Sequence, residues 1–371
     1  MKTRNKILVA ISIVALFVIV GFILHNNQGI EDSSGVIRIG AILPLTGKYA
    51  DNGMSVKCGI ALAVDELNKS SDTRYEVSYF DTKSEAKNAA IGYNQLRSLQ
   101  GIKIMITTMS DNSLILKPLA LSDKILLLCV ASHSEIIVNN ENLVFRTCNT
   151  GAEETQCIAD YIVNNVKQRR VFLYSFNTQA GNDCKKVVEE NFHKELVGTC
   201  VYDDGNFEVL KSIASPGMYK DANCIIVIGY SSYMGLLIKT IRDNGYNGYI
   251  FANVGFNNPS VITSAGEVAD TVHFVDYAFP YGTEMDRLRN KWAQETLGEP
   301  FSAMSYYSYG VVKLLDSIQT EQQCGGDVVA IGNALMVDRT WNIGDVVLMS
   351  HTNGSVTTKL LVRSLDQISG K

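Results

Sequence analysis

The chain has 371 residues, 46% hydrophobic and 19% charged, with 33 Lys and Arg against 38 Asp and Glu and a net charge of −5. At roughly 150 residues per domain this length gives about two domains. The low proline count and the aperiodic glycines and tyrosines argue against disorder and fibrous architectures, and no dense run of Lys and Arg offers a phosphate footprint, so nucleic acid is not an expected partner.

Residues 7–24, ILVAISIVALFVIVGFIL, form an uncharged apolar run close to the ~20 residues that span a bilayer. Lys2, Arg4 and Lys6 precede it, which favours export of the chain beyond it. The run exceeds the roughly 7–15 residues of a signal-peptide core and lacks a small-residue cleavage site, so an uncleaved N-terminal hydrophobic helix is expected over a cleaved signal. Residues 1–35 are read as this segment and its spacer. The body is expected outside the cytoplasm, in the periplasm or at the cell surface, tethered to the membrane through residues 7–24.

Export makes the eight cysteines candidates for disulfides. Cys129 and Cys224 sit in apolar strand-like runs and read as core. Cys148 with Cys157, and Cys184 with Cys200, flank element junctions and are candidate bridges. There is no C-x-x-C, and the five histidines are scattered, so neither a metal nor a cofactor is expected.

From Val36 the pattern alternates between strand and helix. VIRIGAIL (36–43) precedes the turn-rich PLTGKYADNG, after which Val56, Ile60, Ala63, Val64 and Leu67 recur at helical spacing, with Asp51 or Asn52 available as N-cap. Strand 75–80, helix 84–99, strand 103–107, helix 112–122 and strand 125–130 continue the rhythm. After LVFRT (143–147) comes a second series: helix 152–167, strand 170–175, helix 182–195, strand 197–202, strand 224–229, helix 232–243 and strand 249–253. VHFVDYAF (272–279) reads as a crossing strand, then come helices 284–297 and 302–320 and a β-rich tail with a turn at Asn353-Gly354. Strict βαβα order implies parallel sheets with helices on both faces.

The segment IRIGAILPLTGKYADNGMSVKCGIALAVDELN (37–68) resembles the start of the leucine/isoleucine/valine-binding proteins, type 1 periplasmic binding proteins that serve ABC importers. Pro44, Thr46, Gly47, Gly53, Gly59, Ala63 and Asn68 carry the likeness. It continues at FDTKSEAKNA (80–89), LVFRTCNTGAEETQCIADYI (143–162), RVFLYSFNTQAGND (170–183) and residues 224–253. The resemblance implies two doubly wound α/β lobes joined by three crossover strands, with crossings near 147–150, 277–281 and 330–340. Lobe 1 would then be 36–148 completed by 278–335, and lobe 2 would be 149–277 completed by 336–371.

Ligands of open α/β sheets bind beyond the carboxyl ends of strands, where helix N-termini present free N–H groups. That rule selects the loop Thr46 to Asn52, where Tyr49 offers a ring face and a hydroxyl, and the loop Met109-Ser110-Asp111-Asn112 after strand 103–107. It also selects Ala131, Ser132, His133 and Ser134 after strand 125–130. N-capping is the competing role for Ser110, Asp111 and Asn112. By the resemblance, a Ser at 110 receives a ligand carboxylate, the 131 position offers backbone, and His133 stands where the family has a contacting Thr. Gln179, Tyr230 and Asn253 join from the second lobe. Asn253 and Val254 occupy the place where amino-acid binders carry an acidic partner for the ligand ammonium.

The expected function is capture of a small polar ligand (amino acid, amide or related compound) and delivery to an ABC transporter permease. A membrane-anchored sensing receptor of the same fold is the alternative, and would call for an output helix or second span. No GxGxxG, Walker A, HExxH or GxSxG motif is present, so an enzyme is not expected.

Overall fold

Strands and helices alternate as the hydrophobic pattern requires in the computed structural model, which describes residues 35–99, 102–278, 283–295, 301–344 and 346–369. The expected N-terminal helix at 7–24 lies outside these residues. Among the described residues no helix is long and apolar enough to cross a membrane.

The first lobe begins with β1 (Val36–Leu43), α1 (Ala50–Ser70), β2 (Arg74–Asp81), α2 (Lys87–Arg97), β3 (Ile102–Thr108), α3 (Ser110–Asp123), β4 (Leu126–Val130) and β5 (Val144–Thr147). Its sheet has the order β2-β1-β3-β4-β5 and is parallel throughout. The second lobe comes next with α4 (Gly151–Asn165), β6 (Val171–Phe176), α5 (Gln179–Asn191), β7 (Leu196–Tyr202), α6 (Phe207–Ile213), α7 (Pro216–Tyr219), β8 (Cys224–Ile228), α8 (Ser232–Asp243), β9 (Tyr249–Ala252), α9 (Pro259–Ala265) and β10 (Val272–Tyr277). The chain then forms α10 (Thr283–Glu295), α11 (Ala303–Gln322), α12 (Val328–Leu335), β11 (Arg339–Ile343), β12 (Val346–Ser350), β13 (Val356–Thr357), β14 (Leu360–Arg363) and α13 (Leu365–Ser369). The second sheet has the order β14-β10-β9-β8-β6-β7, with only β14 antiparallel.

Each sheet is buried on both faces, as a parallel sheet requires. Along β3, Ile104 and Ile106 join one core with Val56, Ile60 and Leu315, while Met105 joins another with Tyr93, Leu96 and Leu116. Every such buried side chain contributes about 1.5–3 kcal/mol. Gly59 lets α1 and α11 meet: a Cβ there would lie 2.0 Å from the Ser305 carbonyl oxygen. That close seat fixes α1, whose first turn faces the cleft.

Three passages join the lobes and lie side by side. Asn149 Oδ1 accepts from Thr358 N at 3.2 Å, and Ala278 N donates to Lys359 O at 2.8 Å. The third passage is therefore at 358–359 and not near 330–340. Segment 339–357 pairs with itself as an antiparallel sheet, β11-β12-β13, and stays beside β5 through the Arg146–Ser355 bridge. The Asn353-Gly354 turn folds it back before the chain enters the second sheet at β14.

Two further expectations are corrected. All eight cysteines are free thiols. Cys148 Sγ accepts the Ser132 N–H at 3.1 Å, while Cys157 lies well along α4; Cys184 is buried beneath Gly151, with Cys200 on β7. Neither Asp51 nor Asn52 caps α1, because the helix already begins at Ala50 after Tyr49, which makes no side-chain capping bond.

Candidate functional site

The first wall of the cleft grows from the β1–α1 loop. Gly47 takes φ +88°, a conformation glycine adopts without strain. Asp81, at the end of β2, then grips the turn: its Oδ1 accepts from Leu45 N at 2.8 Å and Thr46 N at 3.1 Å, and its Oδ2 accepts from Thr46 Oγ1 at 2.6 Å. Burial raises the Asp81 carboxyl, but these bonds and one from Lys83 N outweigh it and hold it below the usual value. Ser84 Oγ accepts from Tyr49 N at 3.0 Å, which sets the tyrosine at the cleft.

The β3–α3 and β4 loops supply the second part of that wall. Met109 (φ 73°) and Ala131 (φ 49°) both adopt left-handed backbone, which turns the chain sharply at the strand ends. Helix α3 starts at Ser110, two residues earlier than the sequence pattern suggested, so Ser110, Asp111 and Asn112 form its first turn. Asn112 Nδ2 donates to Thr108 O at 2.9 Å, and the Ser113 and Ser132 hydroxyls meet at 2.8 Å. Ser110 Oγ accepts from Ser134 N at 3.2 Å, tying the two loops together.

The opposite wall is aromatic. Phe176 ends β6, and Tyr230 follows β8 with its ring edge-on to Phe176 at 6.5 Å. Thr178 caps α5 by accepting from Gly181 N at 3.2 Å. Gln179 Nε2 donates to Asp183 Oδ1 at 3.0 Å, and Asn253 Oδ1 accepts from Gly229 N at 3.1 Å. Both side chains brace the wall from behind.

Between the walls lies a cleft enclosing about 550 Å³ of empty space, part of it open to solvent. The first lobe lines it with Tyr49, Asn52, Thr108, Met109, Ser110, Asp111, Ala131, His133 and Met304. The second lobe adds Phe176, Thr178, Ala180 and Tyr230. Six of the eleven residues singled out from sequence thus meet here, Tyr49, Ser110, Asp111, Ala131, His133 and Tyr230, while Ser134 stands behind them, its N–H bonded to Ser110 Oγ. Asn112, Ser132, Gln179 and Asn253 do not line it; they hold the loops that do. The hydrophobic liners Phe176 and Met304 escape the sequence reading because a lone apolar residue at an element end carries no pattern; Met109 lies in the selected loop without being singled out. Asn52 closes the loop Thr46 to Asn52 that the carboxyl-edge rule selects, although within that loop the sequence singles out Tyr49 alone.

Two seams close the cleft. Asn52, 5% exposed, donates through Nδ2 to Tyr230 O at 3.0 Å and accepts through Oδ1 from Asn258 Nδ2 at 2.5 Å. At the other seam His133, 4% exposed, stacks on Tyr230 with ring centroids 5.4 Å apart, and its carbonyl accepts from Gly151 N at 2.8 Å. Its Nδ1 is hydrogen-bonded to Asn149 O at 3.1 Å and lies 2.7 Å from Glu154 Oε1, a charge contact without hydrogen-bond geometry. Burial by itself lowers the imidazole, but the Glu154 carboxylate and the Asn149 carbonyl outweigh it and raise His133 above its ordinary value. His133 Nε2 and the Tyr230 hydroxyl are buried with no hydrogen-bond partner among the described residues. Also among them, no cluster of His, Cys, Asp and Glu is placed to hold a metal ion.

A family model described as periplasmic binding protein matches residues 36–318. Leu/Ile/Val-binding protein homolog 3 of Brucella melitensis is 24% identical over 290 residues, 75% of this chain and 77% of that protein. The Leu/Ile/Val-binding protein of Escherichia coli K12 is 20% identical over 252 residues, 66% of this chain and 68% of that one. Among solved structures, the branched-chain amino acid transporter substrate binding protein LivJ from Streptococcus pneumoniae, in complex with isoleucine, superposes with a TM-score of 0.76. It is 19% identical and is covered to 96%, by 89% of this chain. A solute binding protein of an ABC transporter from Rhodopseudomonas palustris, in complex with 3,4-dihydroxy benzoic acid, also gives 0.76, at 16% identity over 89% of this chain and 93% of that one. These structural likenesses show the fold.

Proposed function

The chain belongs to the periplasmic binding proteins, of the type 1 leucine/isoleucine/valine-binding kind, and from that premise we propose that it captures a small polar solute between its lobes and delivers it to an ABC transporter permease. Its relatives are binding proteins rather than enzymes, and a protein of this family works outside the cytoplasm.

One observation carries the reading. A cavity is walled by both lobes, and two residues of its lining, His133 and Tyr230, carry polar atoms, Nε2 and the hydroxyl, that are buried without a protein partner among the described residues. Buried polar groups cost free energy unless they are hydrogen-bonded, and a ligand would satisfy them. The ligand is an amino acid, amide or related compound. Ser110 and His133 receive its carboxylate or carbonyl end, Phe176 and Tyr230 cover its body, and the exposed Asp111 pairs with any cationic group. Asn253 supports a departure from leucine, isoleucine and valine, since it stands where an acidic partner is expected and its oxygen is taken by Gly229 N.

A thermal-shift screen of amino acids, amides, polyamines and small carboxylates tests this. At a hundredfold excess over Kd a true ligand stabilises by about 2.7 kcal/mol. A shift with a polar compound and none with leucine is expected; the reverse overturns the ligand class. We also propose that residues 7–24 tether the protein. The full chain should then resist extraction from membranes by high salt, and release of a form shortened by about 25–35 residues would refute the tether.

A further inference from the structure

Glu154 has no solvent exposure; its Oε1 lies 2.7 Å from His133 Nδ1 as a charge contact, and neither of its carboxylate oxygens accepts a hydrogen bond from a described residue. Sequence patterning gives it no role: it stands in the first turn of α4 beside Glu153, which completes the capping box with Thr150 and already serves the helix end. It comes from the second lobe and His133 from the first, so the contact spans the cleft just behind the ligand wall.

The chemistry of the ring decides what that contact does. Nδ1 is bonded to Asn149 O at 3.1 Å, and a carbonyl oxygen only accepts, so Nδ1 carries a hydrogen whatever the charge of the ring. A neutral imidazole of that tautomer would present Nε2 as an acceptor, whereas an imidazolium presents it as a donor. We propose that Glu154 is a positioning residue of the ligand site: its carboxylate, set 2.7 Å from Nδ1, favours the imidazolium and so makes His133 Nε2 a hydrogen-bond donor, and the cleft selects a carboxylate over the matching carboxamide. This rests on the binding role proposed above and names the chemical end of the ligand that His133 takes.

The surroundings of the ring favour that state. Glu154 on α4 is the anion in contact with it. Arg146 on β5 opposes through its charge, and Cys148 follows that strand. Tyr49 and Asp111 line the same cavity from the first lobe, and Tyr230 stacks on the ring from the second. Burial lowers the imidazole, and Glu154 and Asn149 more than reverse it.

Two measurements on the full chain test the proposal. Titration calorimetry would compare benzoate with benzamide and L-threonine with L-threoninamide. The wild type should favour the carboxylate member by about tenfold, the difference between a charge-assisted and a neutral hydrogen bond. Glu154→Met should abolish or invert that preference, because Nε2 becomes an acceptor, and Glu154→Asp should recover part of it. An unchanged ratio in Glu154→Met overturns the proposal. The second measurement needs neither ligand nor variant at 154: a pH titration of the histidine ring signals, with His133 assigned by its loss in His133→Asn. A His133 ring already neutral at pH 7 would overturn the proposal even if Glu154→Met does not fold. Should neither probe pair bind the wild type, the ligand class proposed above fails, while the ring titration still decides the role of Glu154.

Discussion

The two seams across the cleft use different physics. The Asn52 seam is neutral and sits far along the chain from any passage between lobes; its partners are 178 and 206 residues away. The His133 seam sets an imidazole against a buried carboxylate and lies against the first passage, since Asn149, Gly151 and Glu154 all come directly after β5. A contact next to a hinge moves little when lobes rotate about it, whereas a contact at the mouth is made and broken. The difference teaches that closing the cleft and keeping it chemically competent are separable tasks here, given to different residues.

Glu154→Ala is the strongest way to break that contrast. It leaves His133 buried beside Arg146 without its anion, and removing one member of a buried ion pair typically costs about 3–5 kcal/mol. Urea unfolding of the ligand-free protein should report a loss of that order. An effect under about 1 kcal/mol would mean that the hinge-side pair opens to water with the lobes. Asn52→Ala comes next. It removes two hydrogen bonds worth about 0.5–1.5 kcal/mol each, and the loss should appear in ligand affinity rather than in unfolding of the free protein. Small-angle scattering should show the closed population falling with it; an equal loss in ligand-free unfolding would make the mouth seam structural as well.

How much of this was legible in the sequence obeys the same division. The parallel sheets were readable because fully buried strands such as LLLCV and CIIVI are continuous apolar runs. The carboxyl-edge rule finds Tyr49, Ser110, Asp111, Ala131 and His133 because strand ends are visible in such runs, whereas Tyr230 comes from the family resemblance. It could not separate Ser110 from Asn112 or His133 from Ser132, since neighbours in one turn differ only in direction. Nor could it find Glu154, whose meaning comes from a histidine 21 positions earlier that the fold brings to 2.7 Å. The tail misled because β11-β12-β13 pairs within itself, and an alternating pattern does not say which sheet a strand will join.

Within the cavity the contrast can be sharpened by comparing one polar group from each wall. Ser110→Ala and Tyr230→Ala should each weaken ligand binding by about 1–3 kcal/mol, with ligand-free stability little changed for Ser110→Ala. Tyr230→Ala should also loosen His133, because it removes the ring stacked at 5.4 Å. Calorimetry on the single and double variants separates the two effects. Additivity between Tyr230→Ala and His133→Asn would show that the stacking does not couple them.

The smallest expected effect is a pH dependence, and its sign distinguishes the seams most cleanly. The folded-state value of His133 is raised, so the stabilisation it gains from Glu154 is fully present below its unfolded value of about 6.5 and is lost as pH rises through the folded one. The slope cannot exceed about 1.4 kcal/mol per pH unit for one proton. His273, lowered by burial, contributes with the opposite sign, favouring the fold as pH rises through its own range. The raw stability curve therefore mixes two histidines, and the quantity to measure is the difference between wild type and Glu154→Met between about pH 6 and 9. Subtraction cancels His273, which lies on β10 among Tyr161, Tyr249 and Phe251. The difference should shrink toward alkaline pH. The Asn52 seam contains no titrating group, so the same subtraction for Asn52→Ala should be flat. A sloping Asn52→Ala difference would show that opening the mouth exposes His133 and would join the two seams into one device.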